Sequence, residues 1–76
     1  MTNEEKQVLE RAGVWAQAMQ DVADAGQGVE RSRSSDDART RISAEVDHRW
    51  AVARFGEAEL ALLDAVRAVW AQNRMR

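Results

Sequence analysis

The 76-residue chain contains no cysteine, no proline and no tyrosine, and it has only four glycines. Without cysteine, neither disulfide bonds nor thiolate metal sites can stabilise it. A domain of this length buries a marginal core and needs well-packed helices or a partner subunit. No apolar run approaches the roughly 18 residues of a membrane span. The first ten residues carry acids early and lack the apolar stretch of a secretory signal, so we expect a cytoplasmic protein that binds no membrane.

The charges nearly balance, with thirteen acidic residues against eleven basic ones. A chain with this balance has no global field that would attract nucleic acid or anionic lipid. Ten of the basic residues are arginines and fourteen residues are alanines, a bias that suggests a GC-rich coding genome, such as that of an actinobacterium or its phages. Alanine is the strongest helix former, and a proline-free chain rich in alanine, glutamate, arginine and leucine predicts an all-α fold.

The first predicted helix spans residues 3–25. Thr2 and Glu5 form a capping-box pattern at its start, and Gly26 predicts a left-handed end. Its apolar residues recur at steps of three and four, which makes one stripe along the helix. The stripe consists of Val8, Ala12, Trp15, Met19 and Val22, widened by Leu9, Ala16 and Ala23.

Residues 26–34 predict the interhelical loop, because they hold two glycines, two serines and a single apolar residue. Ser34 and Ser35 both suit the amino-terminal cap of a second helix over residues 36–73. Nine loop residues are enough to reverse the chain. The sequence therefore predicts one helical domain over residues 1–76, folded as a helical hairpin.

Gly56 leaves two architectures open. If the second helix breaks there, a monomeric three-helix bundle folds within one chain. If it is continuous, it is about 57 Å long, and a first helix of about 34 Å covers only its amino-terminal part. The uncovered part then needs a second chain. An interior glycine costs only about 1 kcal/mol relative to alanine, so we favour the continuous helix in an oligomeric helical bundle, most simply a homodimer.

The predicted interface between chains lies on the carboxyl-terminal part of the second helix. Leu62, Val66 and Val69 recur at steps of four and three, as in the seam of a coiled coil. Trp70 flanks these residues, and tryptophan is enriched at interface hot spots. We expect Trp15 and Trp50, in contrast, to be core anchors. The candidate interface residues are Phe55, Leu62, Leu63, Val66, Val69 and Trp70.

One local cluster of positive charge spans the predicted loop and the start of the second helix. Alone, it would resemble a phosphate or nucleic-acid site. Neighbouring acids offset most of its charge, however, and no aromatic residue between them is available to stack on bases. A solvated loop with local ion pairs is the favoured interpretation, and nucleic-acid binding is the alternative. The cluster consists of Arg31, Arg33, Arg39 and Arg41.

Glu45 and His48 have the three-residue spacing of helical carboxylate-bridged metal sites. Such a site needs further carboxylates, and Glu10 and Asp21 lie opposite the apolar stripe of the first helix. We therefore favour solvated side chains over a metal-binding bundle, and we expect no cofactor. No serine has the strained-turn context of a nucleophile for His48, and no glycine-rich loop follows a strand.

These patterns predict a non-enzymatic helical protein that binds other proteins. Its first partner is expected to be a second copy of itself. The second expected partner is a larger host protein, for which the chain would act as an adaptor, an inhibitor or an assembly subunit. The alternatives are a small nucleic-acid-associated regulator and a metal-binding helical bundle.

Overall fold

Two antiparallel helices make up the fold, which is a helical hairpin. The computed structural model describes residues 1–74, with α1 over Asn3–Ser32 and α2 over Ala38–Arg74. The hairpin is a rod of 62 × 15 × 13 Å, one helix pair thick. Over the residues described, neither helix carries a stretch that is both long and apolar enough to cross a bilayer.

The predicted cap of α1 at Thr2 is confirmed, although the Glu5 side chain bonds the Thr2 hydroxyl and not its backbone N–H. The backbone N–H of Glu5 donates to the hydroxyl of Thr2 at 3.2 Å, and this hydroxyl lies 3.3 Å from the Glu5 carboxylate, to which it donates. Glu4 and Glu5 fill the first turn, where acidic side chains oppose the positive end of the helix dipole.

The predicted end of α1 at Gly26 is wrong, and most of the predicted loop at residues 26–34 is helix. No glycine among the described residues has a positive φ, so Gly26 does not terminate the helix. The extension brings Gly26 beside the His48 ring and leaves Ser32 buried. Packing against α2 therefore outweighs the cost of about 1 kcal/mol for each of Gly26 and Gly28 in a helix.

The turn spans residues 33–37, and Asp37 rather than Ser34 or Ser35 caps α2. The Asp37 carboxylate accepts the backbone N–H of Arg39 at 3.0 Å and the hydroxyl of Thr40 at 3.1 Å. The Ser35 hydroxyl in turn accepts the N–H of Asp37 at 3.2 Å. These bonds satisfy donors that a helix start leaves without intrahelical partners. The predicted start of the second helix at residue 36 is thus two residues early.

α2 passes through Gly56 without a break. A side chain at Gly56 would meet nothing within 4 Å, so no close contact explains the glycine. The low cost of an interior glycine is consistent with this continuity.

The helices pack along residues that recur at alternating steps of four and three. We call this half-buried to buried set the hairpin seam. The most buried seam residues are all small, which lets two helix axes approach closely. In α1 the bulky seam positions are Val8, Trp15, Val22 and Val29, and they alternate with Arg11, Ala18, Ala25 and Ser32. In α2 they are His48, Phe55, Leu62 and Val69, and they alternate with Ala44, Ala51, Ala58 and Ala65.

The contacts across the seam show how far α1 reaches along α2. The rings of Trp15 and Phe55 pack with their centroids 5.9 Å apart. The Arg11 guanidinium donates to the carbonyl of Ala61 at 2.9 Å, and Val69 shares a small groove with the start of α1. The expectation that the first helix covers only the amino-terminal part of the second is therefore wrong, because α1 has 30 residues and begins near the end of α2.

Candidate interaction surfaces

Most of the large apolar side chains remain exposed in the hairpin. Among residues 1–74, no large side chain is fully buried, and four alanines and Ser32 are the buried residues. Two helices one layer thick cannot enclose the apolar surface of this chain. The exposed large side chains are Met1, Leu9, Val14, Met19, Ile42, Val46, Trp50, Val52, Leu60, Leu63, Val66 and Trp70.

One side of the hairpin, which we call the apolar flank, carries residues one and four positions after the bulky seam residues. In two antiparallel helices these positions lie on the same side of the seam. These positions are mostly apolar, but Glu59 among them is charged, and Glu45 and Arg49 lie on the same side closer to the turn. The apolar flank consists of Leu9, Ala12, Ala16, Met19 and Ala23 of α1, and of Val52, Gly56, Leu63, Val66 and Trp70 of α2.

The other side of the hairpin, the polar flank, holds an open groove of about 680 Å³. Three carboxylates and one guanidinium line it, so its charge is mainly negative. Its one large apolar side chain is Val14. The groove is lined by Glu10, Gly13, Val14, Gln17, Ala18, Asp21, Arg54, Glu57 and Ala58.

The apolar stripe predicted on α1 is divided between two surfaces. Val8, Trp15 and Val22 lie in the hairpin seam, but Ala18 rather than Met19 completes the buried series. Met19 is 48% exposed on the apolar flank. The stripe is therefore wider than α2 alone covers.

The six predicted interface residues also fall on two surfaces. Phe55, Leu62 and Val69 belong to the hairpin seam and are half-buried against α1. The other three, Leu63, Val66 and Trp70, are exposed on the apolar flank. The Arg74 guanidinium lies 4.6 Å from the centre of the Trp70 ring, a cation–π contact.

The outer face of α2, away from α1, carries a third apolar surface. Ile42, Val46 and Trp50 are exposed there, and Val46 and Trp50 line a shallow depression with Arg49 and Ala53. Trp50 is 63% exposed, so the expectation that it anchors the core is wrong.

The other expected core anchor, Trp15, does lie in the hairpin seam. The buried Nε1 of its indole has no hydrogen-bond partner among the described residues.

The four arginines of the predicted cluster are exposed around the turn. Arg33 pairs with Glu30 at 3.1 Å, and both side chains are about two-thirds exposed or more. Arg41 donates to the Ser35 carbonyl at 3.3 Å, and Arg31 donates to the side chain of Gln27 at 3.4 Å. The backbone N–H of Arg39 donates to the Asp37 carboxylate. These contacts are local to the turn and its flanking helix ends.

Glu45 and His48 occupy different environments. The His48 ring lies against Gly26 in the hairpin seam, whereas Glu45 is exposed. Within residues 1–74, no three side chains of histidine, aspartate or glutamate are grouped so that they could hold a metal ion. The facing carboxylates that a bundled metal site requires are therefore not brought to this pair within one chain.

No protein-family model, curated protein or solved structure matches this chain. The functional proposal therefore rests on the surfaces described above.

Proposed function

We propose that the chain is a non-enzymatic protein–protein interaction subunit, and that its first partner is a second copy of itself in a helical bundle. The observation that supports this proposal is the exposure of twelve large apolar side chains on a hairpin whose buried residues are small. Six of the twelve lie together on the apolar flank, and a contiguous exposed apolar surface on a small protein is typical of an interaction site.

The hairpin alone buries little apolar surface that could stabilise it. Full burial of a large aliphatic side chain contributes about 1.5–3 kcal/mol, whereas an alanine contributes much less. Leu63 and Val66 are each 45% exposed, so covering them with a partner would gain on the order of 1 kcal/mol each. Folding and association are expected to be coupled in such a protein.

A larger host protein is the proposed second partner, because the outer face of α2 stays free when hairpins pair through one flank. Ile42, Val46 and Trp50 form an apolar surface there, and tryptophan is a frequent hot-spot residue. In this arrangement the chain serves as an adaptor, an inhibitor or an assembly subunit.

Light scattering after size exclusion, over a micromolar concentration series, tests the self-association. We expect at least twice the chain mass of 8.5 kDa and a melting temperature that rises with protein concentration. A fully helical monomer with a cooperative, concentration-independent melt would contradict the proposal.

A further inference from the structure

Building on the proposed self-association, we propose that the second copy docks on the apolar flank with both turns at the same end. The two-fold axis then runs parallel to the helices. α1 of each copy packs antiparallel against α2 of the other, which completes a four-helix bundle.

The two halves of the apolar flank carry side chains of complementary size. The α1 half is mostly small, with Ala12 and Ala16 between its two larger residues, Leu9 and Met19, and Ala23 after them. The α2 half is bulky and includes Leu63 and Trp70. Packing α1 on α2 of the partner places large side chains over small ones, as in the hairpin seam. Packing α1 on α1 would set alanine against alanine and leave gaps.

The apolar part of this flank lies away from the turn. Towards the turn, the same flank carries Glu30, Glu45 and Arg49, and Ile42, at its edge with the outer face, is the one large apolar side chain there. When both turns lie at the same end, the apolar part of one copy covers the apolar part of the other. When the turns lie at opposite ends, full overlap of the rods sets apolar residues against these charges, and desolvating unpaired charges is unfavourable.

The size of the apolar flank fits a stable dimer. α1 is about 45 Å long by helical rise, and the hairpin is 15 Å across. Contact along this length covers on the order of 700 Å² of each copy, close to the roughly 800 Å² per partner of a standard specific interface. The apolar centre with charged residues towards one end also matches the usual division into core and rim.

The polar flank is a poor surface for the same pairing. Its groove presents Glu10, Asp21 and Glu57, with Arg54 as the opposing charge. A two-fold contact places this surface against its own copy, so that most of the facing charges have the same sign. The apolar flank therefore remains the favoured site for a second copy.

Paired lysine substitutions test the choice of flank. Leu63→Lys with Val66→Lys places two charges on the apolar flank. The matched control, Val14→Lys with Trp50→Lys, changes residues that are more exposed, at 61% and 63%, on the polar flank and the outer face. We expect the flank variant to raise the dimer dissociation constant by roughly a hundredfold or more, and the control to leave it nearly unchanged.

The outcomes separate the docking proposal from the self-association on which it rests. A wild-type monomer would overturn both. A wild-type dimer that survives the flank variant but dissociates in the control would overturn only the choice of flank. Circular dichroism verifies that each variant remains helical.

Cysteine cross-linking tests the orientation and does not depend on the lysine variants folding. The chain has no cysteine, so an introduced thiol is unique. Met19 lies four residues after Trp15, and Val52 lies three residues before Phe55. Because the helices are antiparallel, both residues lie about one helical turn closer to the interhelical turn, at one level of the rod. Met19→Cys protein is mixed with tagged Val52→Cys protein under mild oxidation, with Val14→Cys as the polar-flank control.

We expect the mixed disulfide between Met19→Cys and Val52→Cys to predominate and Val14→Cys to remain a thiol. Predominant Met19→Cys homodimers would show α1 on α1 and overturn the orientation. A dimer that forms neither product, or one that cross-links through Val14→Cys instead, would overturn the choice of flank.

Discussion

Trp15 and Phe55 join the two helices near the middle of the hairpin, with ring centroids 5.9 Å apart and ring planes inclined by 36°. The separation lies within the roughly 4.5–7 Å of interacting aromatic pairs, and the tilt is intermediate between stacked and edge-to-face geometry. Both residues occupy bulky positions of the hairpin seam, and both are half-buried. The pair joins the two helices in a seam that is otherwise rich in alanine.

Replacing Phe55 with alanine is expected to lower the free energy of unfolding by about 2–3 kcal/mol. This is less than the 3–5 kcal/mol of a fully buried phenylalanine, because the ring is only half-buried. Urea denaturation followed by circular dichroism measures the loss. Trp50→Ala serves as the control, since Trp50 lies on the outer face, and we expect a change within about 0.5 kcal/mol. A larger effect at Trp50 than at Phe55 would contradict the seam.

Arg11 stands at a seam position that is otherwise filled by alanine or serine, and its guanidinium donates to the Ala61 carbonyl. We expect Arg11→Ala to cost about 1 kcal/mol, since a charged hydrogen bond is lost at a half-exposed site. Arg67→Ala is the control, because the Arg67–Asp64 pair is 3.9 Å apart and more than 70% exposed. Such surface pairs contribute about 0–1 kcal/mol. If both substitutions lower the free energy of unfolding equally in chemical denaturation, the Arg11 hydrogen bond contributes no more than an exposed surface pair.

Gly56→Ala is expected to stabilise the chain by up to about 1 kcal/mol, because alanine favours a helix interior. Nothing lies within 4 Å of the new methyl group. Gly13→Ala is a matched control in α1 with the same open surroundings, and thermal melts compare the two. If only Gly56→Ala is destabilising, the helix is not continuous there or a second chain approaches that backbone closely.

The cap of α2 predicts a difference between two adjacent aspartates. Asp37→Ala removes bonds to the Arg39 N–H and the Thr40 hydroxyl, and it should cost about 0.5–2 kcal/mol. Asp36→Ala leaves those bonds intact and should change the stability much less. A thermal melt that is equally sensitive at both positions would contradict the assignment of the cap to Asp37.

The arginines around the turn are expected to form a solvated patch and not a sequence reader. Changing Arg31, Arg33, Arg39 and Arg41 together to alanine should shift the melting temperature only slightly, since exposed ion pairs contribute about 0–1 kcal/mol each. DNA binding measured at physiological salt should be weak in both proteins. Nanomolar binding by the wild type that the variant loses would favour the regulator alternative.

Local signals in the sequence were sufficient for several elements. The cap of α1 at Thr2 is predicted by a pattern of residues three apart, and the modest cost of one glycine favoured a continuous α2 over a break at Gly56. The spacing of the apolar residues also predicts the width of the stripe on α1. The candidate interface on α2 was identified as apolar, but its division between hairpin seam and apolar flank was not.

The end of α1 could not be predicted in the same way. Gly26 and Gly28 with nearby serines are a sound loop signal, and locally they disfavour a helix. The extended part of α1 packs against α2, where Gly26 lies beside His48, which is distant in the sequence, and Ser32 is buried. A segment of the α1 sequence taken alone does not indicate which α2 residues will pack against it.

The sequence by itself determined that this protein is helical, that α1 begins at its Thr2 cap, and that its apolar residues make stripes along both helices. These properties depend on propensities and spacings within a few residues. The tertiary structure decided where α1 ends and which half of its stripe faces α2. The stripe is wider than one helix can cover, so either half is locally suitable. The choice depends on fit between distant side chains: Ala18 allows close approach beside the Trp15–Phe55 contact, and Met19 is thereby left on the apolar flank.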